Sequence, residues 1–527
     1  MQDDTRPRVA ALGRRDLIRL GAGVVTAALA GSQVDGQRGG GSGGAPQSAL
    51  PPGAMPNPDE PRPHTGPGYK NDYERLAGNG PMDDTTRKIV KFVHDFKESD
   101  ITPSAQKALN RTMIDSVAAI VAGFEEDAAR AAARVSQWSP AGELTCTVLG
   151  YGIATTPELA AFANGTLIRC TDFNDNGPGG HTSDLIPAAL AVGEALHSTG
   201  PEVLAAIAIG YEISGAPAGG EAVRAAMVAG RLMKLDEDRL ANAVGIALIP
   251  HVALNKGVGA LSMWKGVRSA EATKCGVWSA LLARAGMTGP PQPFEGRGSL
   301  WENNGNPGRP FTLPLNPQML GIETTWAKRF PSDAQTQGVL RLIPDLLSWT
   351  KPGEIEAIQY DMALGNWEEV GSAPKWDPRN RETADHSVPY VIARSLIDGH
   401  AIYLDAFKPE KYPFRDPAVK ALIDRIVLSP VKGWGGLGTA RITIRKKSGE
   451  TKYWDTYSGS RNPDLAEYRK LMSDQDINDK FHRACDYKQM SAAQRDQALS
   501  QWSNLMTVKD IAEPMRTLAK FGKPSPL

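Results

Sequence analysis

Cysteine is scarce in this chain. Four residues, Cys146, Cys170, Cys275 and Cys485, are scattered through 527 positions with no Cys-x-x-Cys pair. That spacing excludes a disulfide scaffold and a cysteine zinc site, and leaves free buried thiols as the expected state. The eight histidines include no His-x-x-x-His or His-Glu-x-x-His pair, so no metal site is expected. Excess charge of either sign is missing too, with 59 basic and 59 acidic residues. Nucleic-acid binders need a basic surplus, so no nucleic-acid partner is expected. There is no internal repeat. The glycines of Gly257-Val-Gly-Ala-Leu-Ser262 lack the strand–turn–helix setting of a dinucleotide fingerprint, so no cofactor is expected. The one apolar run near the start, Leu20 to Ala30, is too short to cross a bilayer.

That run has a setting of its own. Arg14-Arg15 precedes it, and it ends in the small-x-small pattern Ala28-Leu29-Ala30. Residues 1–30 therefore read as a twin-arginine export signal, which carries proteins already folded; a chance arginine pair before an ordinary Sec signal, or a membrane anchor, is the alternative. The mature protein is expected in the periplasm, with no membrane contact after cleavage. Residues 31–69, rich in Gly, Pro, Ser and Gln, read as a flexible tether.

Beyond the tether, helical spacing dominates from about residue 86 to 290. Thr102-Pro103 predicts a helix start, and Leu109, Met113, Val117 and Ile120 follow on one face. Ser183–His197, Glu202–Tyr211, Glu221–Met233, Asp236–Ile249 and Ser269–Ala285 read the same way. Their Ala- and Gly-rich faces predict close helix packing. Strand character appears at Glu356–Met362, Ile423–Leu428 and Arg441–Arg445. The last leads through Lys447-Ser-Gly449 into Lys452–Thr456 as a hairpin. Helix resumes from about 464 to 522, with Ser491 as a cap. The expected fold is mainly α: a large all-helical domain over 86–328, a smaller inserted α+β lid over 329–465, and C-terminal helices over 466–522 that return to the first domain.

The polar constellations are few. Asp172, Asp175, Asn176, His181 and Ser183-Asp184 crowd into thirteen residues broken by Gly177, Pro178, Gly179 and Gly180, with apolar helices on both sides. A polar loop between rigid helices can deliver catalytic groups; the same composition also suits a solvated, Asx-capped turn. Trp264-Lys265-Gly-Val-Arg268 places two cations just before a helix, a setting that suits a carboxylate. Trp326-Ala-Lys328-Arg329-Phe330-Pro331-Ser332 puts a basic pair where helical character gives way to mixed structure. Arg381-Glu-Thr-Ala-Asp385-His386-Ser387-Val-Pro389-Tyr390 runs charge into a helix start. Each of the three also reads as an ordinary surface pair, connector or capped helix. Together they offer cations for carboxylates and groups that move protons, which suits proton abstraction beside a carboxylate.

These segments resemble the MmgE/PrpD family, which includes 2-methylcitrate dehydratase, cis-aconitate decarboxylase and iminodisuccinate epimerase. The resemblance is carried by Ala163-Asn-Gly-Thr166, Asp172-Phe-Asn-Asp175, Gly180-His-Thr-Ser183, Asp236 to Ile246, Lys265, Leu282 to Gly289, Phe294-Glu-Gly296, Lys328 to Pro331 and, most specifically, Arg381 to Tyr390. It implies a homodimer of two-domain subunits, no cofactor, and a site between the domains. It implies Asp172, His181, Lys265 and His386 as catalytic residues, with Asn176, Arg268, Lys328 and Tyr390 at the substrate. The chain departs from the family in four places. Asn176 falls where relatives usually have Thr. Ile213-Ser-Gly-Ala-Pro-Ala-Gly-Gly220 is shortened and lacks the usual histidine. Arg268 and Arg169 stand where relatives carry histidine. Two imidazoles have become permanent cations. His251, near Lys265 in sequence, is the expected replacement base; it equally suits a core-lining role. The expected activity is a cofactor-independent lyase on a small di- or tricarboxylate, 2-methylcitrate dehydratase-like. An epimerase, a decarboxylase, or an exported polycarboxylate-binding protein on a degenerate scaffold are the alternatives.

Overall fold

The structure, a computed structural model, describes residues 82–218, 220–251, 260–304, 308–434, 439–456 and 471–527. The export signal and the tether expected before residue 70 lie outside these residues, as does the stretch 457–470 where the C-terminal helices were expected to begin.

Side chains that accept from backbone set the helix starts. Asp83 caps α1 (Asp84–Asp95) and Thr102 caps α2 (Pro103–Gly123), with Pro103 in the first turn. The stripe Leu109, Met113, Val117 and Ile120 is fully buried. Then come α3 (Asp127–Ser136), a two-strand ribbon of β1 (Cys146–Val148) and β2 (Ile153–Thr155), α4 (Pro157–Arg169), α5 (Ile186–Ala195), α6 (Gly200–Gly215), α7 (Glu221–Leu232), α8 (Glu237–Leu248) and α9 (Trp264–Arg284). The ribbon was not expected; its three-residue strands are too short to show alternation.

Glycine lets these helices touch. A Cβ on Gly276 of α9 would lie 2.5 Å from the Ala222 carbonyl oxygen and the Ala225 Cβ on α7. One on Gly165 of α4 would lie 2.9 Å from the Ala270 Cβ, so α9 is pressed between α7 and α4. Helix α9 also starts a turn earlier than its sequence pattern indicates. Lys265 and Arg268, expected just before a helix, lie inside its first turns. The reason is packing: Gly266 and Val267 are buried and extend the inner face backward.

The second structural layer is a four-strand sheet in the order β4-β3-β5-β6. Strand β3 (Ile355–Ala363) pairs parallel with β4 (Ile426–Val431) and antiparallel with β5 (Ala440–Lys446), which turns into β6 (Thr451–Asp455). Ala440, Ile442 and Ile444 alternate onto the buried face. Ile423, expected to open a strand, instead ends a helix (Pro417–Ile423) that Asp416 caps. Helices α10 (Gln337–Trp349), α11 (Leu364–Val370) and α12 (Val388–Asp398), the last capped by Ser387, belong to this part.

The molecule is mainly α, with two apolar cores. One is drawn from residues 89–322 together with 472–521, joined by Tyr403 and Leu404; the other is drawn from residues 330–454. The C-terminal helix α13 (Asp474–Tyr487) packs on α2. Its Lys480 is buried, donating to Asp115 Oδ1 at 2.6 Å, to the Phe173 carbonyl at 2.6 Å and to the Lys328 carbonyl at 3.0 Å. All four cysteines are free, three of them buried. Among the described residues no helix is long and apolar enough to cross a membrane.

Candidate active site

The loop after α4 is the first wall of the site. Its backbone enters the left-handed region at Asp172, φ +50°, a conformation that Asp tolerates better than most residues. That bend lets one lysine take two bonds. Lys328 Nζ donates to Asp172 Oδ2 at 2.7 Å and to the Asp172 carbonyl at 3.0 Å. The Arg169 guanidinium pairs with the other carboxylate oxygen. Burial and then the Arg169 charge push the Lys328 ammonium well below its ordinary range.

Asp175 braces the same loop from beneath. Its carboxylate accepts from the Ser183 backbone and hydroxyl and, at 2.6 Å, from the Tyr211 hydroxyl. Burial still raises it to about 6. Its carbonyl accepts from His181 Nδ1 at 2.8 Å. A carbonyl only accepts, so His181 carries its proton on Nδ1 and presents a bare Nε2. That Nε2 lies 3.8 Å from Asp172 Oδ1. Burial, then Arg169, Lys328 and Lys265, hold the imidazole well below its usual pKa. Gly179 makes the turn possible: at φ +74° its added Cβ would lie 2.5 Å from the Ser214 carbonyl oxygen. Asn176 exchanges backbone hydrogen bonds of 2.9 and 3.0 Å with Trp326, which fastens the loop to the segment carrying Lys328.

The α+β part supplies the second wall. His386 Nδ1 lies 2.6 Å from Asp385 Oδ1, and its Nε2 points toward Asp333 Oδ2 at 3.6 Å with no hydrogen bond of its own. Asp333 donates its backbone N–H to the Asp385 carbonyl at 3.0 Å, and the Ser332 hydroxyl joins it at 2.6 Å. Burial raises Asp385 to about 6. It lowers His386 well below its ordinary value, and the Lys265 charge adds to that. Burial alone would raise Asp333, yet His386, Lys328 and Lys265 together hold it low. Lys265, half-buried in the first turn of α9, is pushed to about 8 by burial and then by Arg169.

The walls meet where Asp172, Asp333 and His386 each place one ligand-type atom within 4.8 Å of the others. Spacing alone would admit a cation. Charge argues otherwise: Asp172 is already engaged by Arg169 and Lys328, and Lys265 adds a third positive group. The arrangement instead suits an anion lying among the cations, with bare imidazole nitrogens beside it.

Asp172, His181, Lys265, Lys328 and His386 are therefore brought together, with Asn176 beside them. Three other residues expected at the site are not. Tyr390 is buried in the second core; its hydroxyl donates to the carbonyls of Ala406 and Lys411 and its ring packs on Tyr412. The apolar spacing of α12 turns it inward. Arg268 is exposed and forked onto Glu221 at 2.8 and 3.0 Å. His251 has Glu271 and Lys274 as its charged neighbours, and Glu271 lies roughly 9 Å along α9 from Lys265 at the helical rise. Burial lowers its pKa. Near the end of α6, the Ser214 hydroxyl accepts from Arg224 at 3.0 Å.

Sequence reading missed Asp333, Asp385, Glu369 and Lys375 as members. Asp333 follows the Lys328–Ser332 segment directly and Asp385 precedes His386, so adjacency was the available signal. Lys375 carried none.

Comparison with known proteins places this geometry. The chain matches the MmgE/PrpD N-terminal domain over residues 87–303 and the MmgE/PrpD C-terminal domain over residues 330–505. It is 24% identical over 433 residues to the cis-aconitate decarboxylase-like protein oryM of Aspergillus oryzae, covering 71% of this chain and 86% of that relative. It is 23% identical over 475 residues to the cis-aconitate decarboxylase of Homo sapiens, covering 83% of this chain and 95% of that protein. The Mus musculus protein of the same name is 24% identical over 433 residues, 75% of this chain and 86% of its own. With both domains matched in order and each contributing a wall of the site, the chain belongs to the MmgE/PrpD family.

Proposed function

We propose that this protein is a lyase acting on a small di- or tricarboxylate by removing a proton from the carbon next to a carboxylate, with loss of water in the manner of 2-methylcitrate dehydratase. The observation that carries the reading is His386. It is buried, oriented at Nδ1 by Asp385, and its Nε2 is unbonded inside a site lined by Lys265, Lys328 and Arg169. An unprotonated Nε2 is a base at neutral pH. The cations stabilise the negative charge that spreads onto the carboxylate as the C–H bond breaks. The imidazolium then hands that proton to the hydroxyl on the neighbouring carbon. The C–O bond breaks, water leaves, a C=C bond remains and the base is restored. His181 Nε2 offers a second base from the first wall. Asp172, with both oxygens engaged by cations, positions Lys328 and does not donate a proton.

Decarboxylation is the second reading, favoured by the names of the relatives. There the C–CO2 bond breaks, its electron pair shifts through the neighbouring alkene, and a protonated imidazole delivers a proton to carbon. Incubation with 2-methylcitrate, citrate and cis-aconitate, followed by alkene absorbance and CO2 release, separates the readings. Water loss supports dehydration and CO2 supports decarboxylation. Ligand-induced thermal stabilisation with no product from any acid would overturn both and leave a binding protein.

A further inference from the structure

The helical turn Arg381–Ala384 runs straight into Asp385 and His386. The helical part of the molecule grips it. Asn380, its cap, donates from Nδ2 to the Leu261 carbonyl at 2.6 Å, and the Leu261 N–H donates to the Thr383 hydroxyl at 3.1 Å, just before α9. Arg381 crosses the same boundary. Its Nη1 donates to Glu126 Oε2 at 3.3 Å. Its guanidinium carbon lies 4.4 Å from the Phe407 ring centre, a stacking that steadies the plane. Its Nε makes no hydrogen bond and lies 3.9 Å from Asp385 Oδ2. One guanidinium is thus shared between a carboxylate of the helical part and the carboxylate that orients the base.

Glu126 is turned toward this role. It stands at the cap position of α3, yet its side chain accepts nothing from its own helix. One oxygen takes Arg381, and the other takes Lys488 Nζ at 3.4 Å, just beyond α13. The residue before it, Glu125, has φ +65°, a left-handed position past a helix end that glycine usually takes. A strained bend and an unused cap are both kept where Glu126 meets the second wall.

Asp385 divides its groups in the same way. Its carbonyl is tied to the Asp333 N–H and the Ser332 hydroxyl. Its Oδ1 lies 2.6 Å from His386 Nδ1, and its Oδ2 faces Arg381. A carboxylate held at one oxygen can rotate, whereas one held at both aims its imidazole. We infer that Arg381 is a positioning residue: seated on Glu126, it sets the Asp385 carboxylate and, through it, the direction of His386 Nε2. The aim of the base then depends on contact between the helical and α+β parts. The inference rests on the reading of His386 as the base and deepens it, with Arg381 acting through Asp385 and not on the substrate.

Nitrogen-15 histidine spectra of the whole protein read the imidazole without substrate, with His386 identified by its loss in His386→Gln. The parent should show a far-downfield proton on Nδ1, the mark of a short bond to a carboxylate. Arg381→Met should move that signal, Glu126→Gln should move it less, and Arg381→Lys should restore part of it. In turnover, Arg381→Met should lower kcat about 10- to 100-fold, the scale of a misplaced group. KM should stay within about threefold, because the loss falls on the transition state. Glu126→Gln added to Arg381→Met should cost nothing further, because both act along one line. An unmoved His386 signal in Arg381→Met, a raised KM with kcat unchanged, or losses that multiply in the double variant would each overturn the inference. Should Arg381→Met fail to fold, Glu126→Gln decides alone, and an unmoved signal there overturns it. Turnover that needs His386 while its signal ignores Arg381 and Glu126 would sink the positioning role alone. A signal that responds in a protein that turns over no acid would sink the lyase reading alone.

Discussion

The two walls of the site differ in how their polar atoms are used. On the helical wall the groups around Asp172 bond one another: Asp172 to Arg169 and Lys328, Asp175 to Ser183 and Tyr211, His181 Nδ1 to a carbonyl. On the α+β wall His386 Nε2 and Lys375 Nζ are among the buried groups that stay open. A cluster whose groups bond one another is rigid and aims them. A wall with open groups bears a desolvation cost that an incoming ligand removes. The difference teaches a division of labour: the helical wall holds the Asp172 cluster in place and brings cations to the site, and the α+β wall leaves the imidazole of His386 open.

That division can be broken by experiment. His386→Gln should lower kcat by about 10²- to 10⁴-fold with little loss of stability, the usual worth of a general base; a change under threefold would move the chemistry to the other wall. Asp172→Asn strikes the committed wall, leaving Arg169 and Lys328 buried without their carboxylate, and should lower unfolding stability by about 3–5 kcal/mol in a denaturant titration.

The Lys265 ammonium, depressed to about 8, is charged below that pH and neutral above it. The kcat/KM profile should therefore fall on the alkaline side near pH 8, and Lys265→Arg should carry that limb at least one unit higher, because guanidinium keeps its proton. A limb that stays in place would remove Lys265 from carboxylate binding. The smallest effects belong to residues outside both walls. Arg268→Ala gives up an exposed ion pair worth at most about 1 kcal/mol, and His251→Ala should leave turnover unchanged. A large loss in either, seen in steady-state kinetics, would mean that the site reaches further along α9.

What the sequence made legible follows the range over which each signal acts. Caps and stripes are local, so Thr102, Ser491 and the face from Leu109 to Ile120 read correctly. The start of α9 did not, because tertiary packing at Gly266 and Val267 lengthens it beyond its own pattern. Asp172, His181, Lys265, Lys328 and His386, each standing in a polar segment and tied together by the family resemblance, are the expected residues that the structure brings together. Tyr390, expected at the substrate through the same resemblance, turns inward instead: membership in a family-like string says nothing about which way a side chain turns.

Lys480 has a consequence in time as well as space. It holds the carbonyls of Phe173, beside Asp172, and of Lys328, one from each side of the Lys328–Asp172 pair. During synthesis those two carbonyls and the Asp115 carboxylate emerge long before their shared donor does. The helical core can begin to assemble as it leaves the ribosome, but the pocket is sealed only when α13 arrives. A polypeptide stalled short of that helix would hold these three acceptors without the donor they share.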